Sequence, residues 1–68
     1  MITYYEISAY DGAQDSAPLA DRWITPRKHR ADKVAAAYLK QYPRVEILKQ
    51  YEHNGDLIKF DFIAEYTR

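Results

Sequence analysis

The chain predicts an α+β domain: an antiparallel sheet of three to four strands with one helix packed on one face, in the order β-(β)-α-β-β. Three observations carry that prediction. Residues 46 to 66 read as two strands joined at Asn54-Gly55, the dipeptide best suited to a two-residue type I′ turn, in which both central residues need φ > 0. Residues 25 to 42 carry apolar side chains at helical spacing. Residues 2 to 10 are rich in β-branched and aromatic residues.

In chain order, Ile2 to Tyr10 forms a first strand, with Thr3, Tyr5, Ile7 and Ala9 on one face and Ile2, Tyr4, Glu6, Ser8 and Tyr10 on the other. Asp11 to Pro18 is turn chemistry and is expected to be a mobile loop. Asp21-Arg22-Trp23-Ile24-Thr25 is short and β-prone, and as a second strand it would lie at the edge, beyond the first. Thr25-Pro26 signals a helix start, Thr as N-cap and Pro at the first helical position. The helix is expected to end near Gln41 or Tyr42, before Pro43. Ala31, Val34, Ala35, Tyr38 and Tyr42 share its apolar stripe, while His29, Lys33, Ala36 and Lys40 lie opposite.

In the closing hairpin, an unbroken ladder from Asn54-Gly55 pairs Val45 with Ala64, Ile47 with Phe62, Lys49 with Phe60 and Tyr51 with Ile58 on one, largely apolar face. That face is the expected core, with Phe62 in it and the final strand at the centre of the sheet. The other hairpin face is mixed: Arg44, Glu46, Leu48, Gln50 and Glu52 against Glu65, Ile63, Asp61, Lys59 and Leu57. Leu48, Leu57 and Ile63 make it partly apolar, which suggests a dimer or partner surface.

Sixty-eight residues make a single domain, 1–68. A chain of this size buries only about 60% of its unfolded surface. It contains no cysteine, which excludes a disulfide scaffold and a thiolate metal site. Stability must therefore come from packing, chiefly of seven Tyr, two Phe and one Trp. No stretch approaches the roughly 20 apolar residues of a membrane span. MITYYEIS lacks the pattern of a signal peptide, so a cytoplasmic location is expected.

Net charge is zero but strongly segregated. Residues 1–21 carry −4, residues 22–49 carry +6 and residues 50–68 carry −2. A locally basic surface on a neutral body follows. Its focus is Arg27, Lys28, His29 and Arg30, with Lys33 one turn further and Arg44 beyond the helix. Cations in a first helical turn oppose the helix dipole, where Asp or Glu is usual. An anion would resolve the conflict, because helix-start N–H groups and basic side chains together suit phosphate or carboxylate. The alternative is a helix starting near Ala31, with PRKHR a solvated basic loop.

Nothing in the chain has the arrangement of a catalytic site: there is no glycine-rich phosphate loop and no Ser/His/Asp set. The carboxylates of the hairpin are explained by cross-strand pairing. His29 and His53 are too few and too separated for a metal. A non-enzymatic protein without cofactor or metal is expected. Tyr4, Tyr10 and Trp23 find no place in the core; they could stack bases, anchor a protein partner, or pack under the loop at 11–20.

RWITPRKHRADKVAAAYL followed by VEILKQYEHNGDLIKFDF, in a tiny aromatic-rich chain of this element order, resembles the small proteins of phages and mobile elements. In layout it is similar to some anti-CRISPR inhibitors, whose single helix packs on an antiparallel sheet. The resemblance spans the whole chain and rests on element order alone. It implies a stoichiometric inhibitor that docks on a larger protein or nucleoprotein effector. The expected contacts, from the residues themselves, are Arg27, Lys28, His29, Arg30, Lys33 and Arg44, with Tyr4, Tyr10 and Trp23 as anchors. A direct nucleic-acid-binding module using the same cluster, and a homodimeric interaction domain, are the alternatives, and the chain itself would be monomer or homodimer.

Overall fold

The computed structural model describes all residues, 1–68. Five elements follow in the predicted order: β1 (Ile2–Tyr10), β2 (Leu19–Thr25), α1 (Lys28–Leu39), β3 (Arg44–His53) and β4 (Asp56–Thr67). The strands form one antiparallel sheet in the order β2-β1-β3-β4. The second strand is real, longer than its sequence signal, and lies beyond β1 at the edge. The final strand is at the opposite edge, and β3 takes the central place expected for it.

The core sits where α1 crosses β1 and β3. Ile7, Ala9, Val45 and Ile47 of the sheet meet Ala31 and Ala35 of the helix, and Tyr5, Val34, Tyr38, Leu39 and Tyr42 pack around them. The two alanines let the helix approach closely, so Ile7, Val45 and Ile47 lose essentially all contact with water. Each such burial stabilises the fold by about 1.5–3 kcal/mol. Tyr38 and Tyr42 meet edge to face, ring centroids 5.8 Å apart, at the helix end.

Asn54 (φ 53°) and Gly55 (φ 86°) form the expected turn. The ladder above it, however, is not unbroken. Glu52 pairs with Leu57, but Tyr51 pairs with Lys59, leaving Ile58 as an extra residue; Leu48 pairs with Phe62, but Ile47 with Ala64, leaving Ile63 extra. These are β-bulges, and each shifts the register by one. Between them Phe60 and Phe62 face Gln50 and Leu48 on the open side of the sheet, while Lys59 and Asp61 share the helix side with Tyr51 and Lys49. Phe62 therefore lies outside the core and is exposed, as are Leu57, Ile58 and Phe60.

The helix ends differ from expectation too. Arg27 is the N-cap, with extended backbone and no side-chain cap, and Pro26 precedes it. Thr25 instead uses Oγ1 to accept from the Arg27 N–H at 3.3 Å, a local turn that sets the entry angle. At the far end α1 stops at Leu39 and a tight turn follows, in which the Gln41 and Tyr42 N–H groups bond to the Tyr38 carbonyl. Arg68, from beyond β4, donates through Nη1 to the carbonyls of Lys40 at 3.0 Å and Leu39 at 3.3 Å. A cation at a helix C-terminus complements the dipole.

Candidate functional site: the cationic start of the helix

The two ends of α1 are treated in opposite ways. Its C-terminus receives the matching charge from Arg68, whereas its first turn contains no acid and begins with Lys28, His29 and Arg30. The basic run is thus helical, and not a loop before a helix at Ala31. Its N–H groups and its side chains present charge of one sign at one place.

One member of the cluster is neutralised. Lys28 Nζ donates to Asp32 Oδ1 at 2.8 Å, one turn along the helix. That hydrogen bond, ahead of every other influence, raises the Lys28 pKa above its ordinary value. Arg27, His29, Arg30 and Lys33 take part in no ion pair and are exposed. Spacings of three and four residues stack His29, Arg30 and Lys33 on the outer face of α1, and with Arg27 they line an open surface concavity that contains no hydrophobic residue. Small-molecule pockets are predominantly apolar. An all-cationic, open concavity suits a polyanion, held by several charge-assisted hydrogen bonds.

Arg44 does not belong to this cluster. It is 3% exposed and lies on the opposite side of the sheet. Its Nη1 donates to Glu46 at 2.9 Å and sits 3.4 Å from Glu65, Nη2 donates to the Gln14 carbonyl at 3.2 Å, and the guanidinium stacks 4.0 Å over the Tyr10 ring. Its Nε is buried without a partner. The 11–18 loop is folded over it, held by a bond from Asp11 N–H to the Pro18 carbonyl at 3.1 Å and one from Ala17 N–H to Gln14 at 3.0 Å. Arg44 is a structural cation that fastens this loop to the sheet.

Tyr4 and Tyr10 lie on the open face, away from the cationic concavity. The Tyr4 hydroxyl is within 2.8 Å of Glu52 and 2.9 Å of Gln50, and the Tyr10 hydroxyl donates to Glu46 at 3.1 Å. Both pKa values are raised, that of Tyr4 mainly by its bond to the Glu52 carboxylate and that of Tyr10 mainly by burial, then by Glu46. Glu6 completes this network, taking the Gln50 side-chain amide and facing Arg22 at 3.7 Å. Trp23 is 51% exposed on β2 and pairs with Ile7, which places it on the helix side of the sheet. Of the three aromatics it alone shares a side with the basic cluster.

Comparison of the chain with protein-family models, curated proteins and solved structures finds no match. No helix is long and apolar enough to cross a membrane.

Proposed function

We propose that this chain is a non-enzymatic binding protein that docks on a larger nucleoprotein assembly through the cationic start of α1, and that it inhibits or modulates that assembly by occupying it, as anti-CRISPR proteins do. The observation that supports this reading is the set of four exposed basic side chains, Arg27, His29, Arg30 and Lys33, left without a carboxylate partner around helix N–H groups. Arg22, Lys28 and Arg44 face carboxylates, Arg68 meets helix carbonyls, and Lys49 and Lys59 lie over tyrosine rings. Leaving this cluster unpaired costs stability, which a partner with fixed negative charge recovers on binding. Trp23 supplies an aromatic anchor on the same side.

Affinity capture with tagged chain, followed by mass spectrometry, tests the proposal. Wild type should retain an assembly containing protein and nucleic acid, and the triple variant R27E/R30E/K33E should lose it. Free oligonucleotides provide the second arm. Tight binding to bare DNA or RNA, falling steeply with salt, would replace the inhibitor reading by a direct nucleic-acid module. Capture unaffected by the triple variant would place function elsewhere on the molecule.

A further inference from the structure

We propose that β4 is the dimerisation edge of this protein, joining two copies into one continuous eight-stranded sheet through an antiparallel β4–β4 contact centred on Phe60. Three features of β4 support this.

The first is a free edge. Its backbone pairs with β3 on one side only, α1 packs on β1, β3 and β2 and leaves it uncovered, and it contains no proline and only one lysine across twelve residues. Soluble proteins usually blunt such edges, and the two bulges of β4 do so on either side of Lys59 to Phe62, which stays regular. The second is apolar area. Leu57, Ile58, Phe60, Phe62, Ile63 and Tyr66 are each between 37% and 59% exposed, so apolar side chains flank the free backbone of β4 along its length.

The third is self-complementary charge, which selects a second copy as the occupant. A two-fold axis normal to the sheet sets residues of the same face opposite one another. Centred on Phe60, it places Lys59 against the partner's Asp61 and Asp61 against the partner's Lys59. Moving the axis half a residue sets a side chain of one face against one of the other, and moving it a whole residue, onto Lys59 or Asp61, makes like charges meet. Tyr51 of β3 keeps both groups on the helix side of the sheet: its hydroxyl donates to Asp61 at 2.8 Å, and the Lys59 ammonium sits 4.5 Å from its ring centre. The bulges at Ile58 and Ile63 leave Lys59 to Phe62 as the regular stretch between them, which confines pairing to this register. Both helices then lie on the same side of the joined sheet, so the dimer presents two cationic concavities to one surface.

Solution mass across a dilution series, with a charge-swap cycle, tests the contact. Wild type should reach twice the 8.0 kDa chain mass. K59D and D61K singly should each weaken the dimer by about tenfold or more, because each disturbs two symmetric pairs, and K59D/D61K together should restore it. Because the chain has no cysteine, Phe60→Cys supplies a second measurement. Across the axis its Cα would meet its own copy at about 5.5 Å, within disulfide range, whereas Phe62→Cys would lie about 14 Å from its copy. Under mild oxidation the first should cross-link much faster than the second. A monomer at every concentration, a dimer indifferent to the charge swaps, or equal cross-linking at both positions would overturn the proposal.

Discussion

Truncating Phe62 and Ile47 to alanine tests the account of the fold most sharply, because an unbroken hairpin ladder and the bulged one assign them opposite outcomes. On the unbroken ladder the two face each other in the core, and Phe62→Ala would cost about 3–5 kcal/mol. In the structure Phe62 is 58% exposed on the side away from α1. Less than half of the side chain's area is withdrawn from water, so its loss should cost about 1 kcal/mol. Ile47 is fully buried against Ile7, Ala31 and Ala35; its replacement leaves a cavity that rigid sheet backbone cannot close, and should cost about 3–4 kcal/mol. A domain of this size has about 3–10 kcal/mol in all. Ile47→Ala therefore brings it close to unfolding, while Phe62→Ala leaves it folded. Urea denaturation followed by circular dichroism, at concentrations where the chain is monomeric, reads both values. A Phe62→Ala cost matching or exceeding that of Ile47→Ala would refute the bulged register.

Arg44→Ala should destabilise by about 3 kcal/mol, since it strands the Glu46 carboxylate and frees the 11–18 loop; the figure stays at the low end because the Glu65 side chain remains 40% exposed. Proteolysis within residues 11–18 should accelerate in the same variant. R27E/R30E/K33E should leave the thermal midpoint unchanged or slightly raised, because acids at a helix start agree with the dipole; a large loss of stability would make the cluster structural. Stability should also fall on the alkaline side. Tyr4, Tyr10 and Tyr38 have folded pKa values raised above the ordinary tyrosine value of 10.0, chiefly by the Glu52 hydrogen bond for Tyr4 and by burial for the other two. The folded state thus holds protons that the unfolded chain releases, so their contribution is complete below pH 10.0 and declines as pH rises through the folded values. Thermal melts against pH, with tyrosinate absorbance as the monitor, measure this decline.

Element order, the Asn54-Gly55 turn and the core stripe of α1 were legible because each rests on local chemistry: a turn needing positive φ, a period of 3.6, alternation along β1. The register of β4 was not. Its signal is present, since Leu57-Ile58 and Phe62-Ile63-Ala64 interrupt strict alternation, and a doubled apolar position can mark a bulge. Strand order was missed for a related reason: β4 is the most apolar strand, but its apolar residues follow no single face, so apolarity did not translate into a central place. Arg44 read as one more exposed base because, although Glu46 is two residues away, its burial depends on Tyr10 and the Gln14 loop, both distant in sequence. Arg68 at the helix end was invisible for the same cause. The basic first turn was legible as a conflict between charge and dipole, and the fold leaves that conflict unrelieved.

Hydrogen exchange of the chain, free and bound to its captured assembly, tests that unrelieved charge as the gripping surface. Protection on binding should concentrate at residues 27–33 and reach Trp23, with little change around Arg44 and the 11–18 loop. Protection confined to the open face, with the start of α1 exchanging as in the free chain, would contradict it.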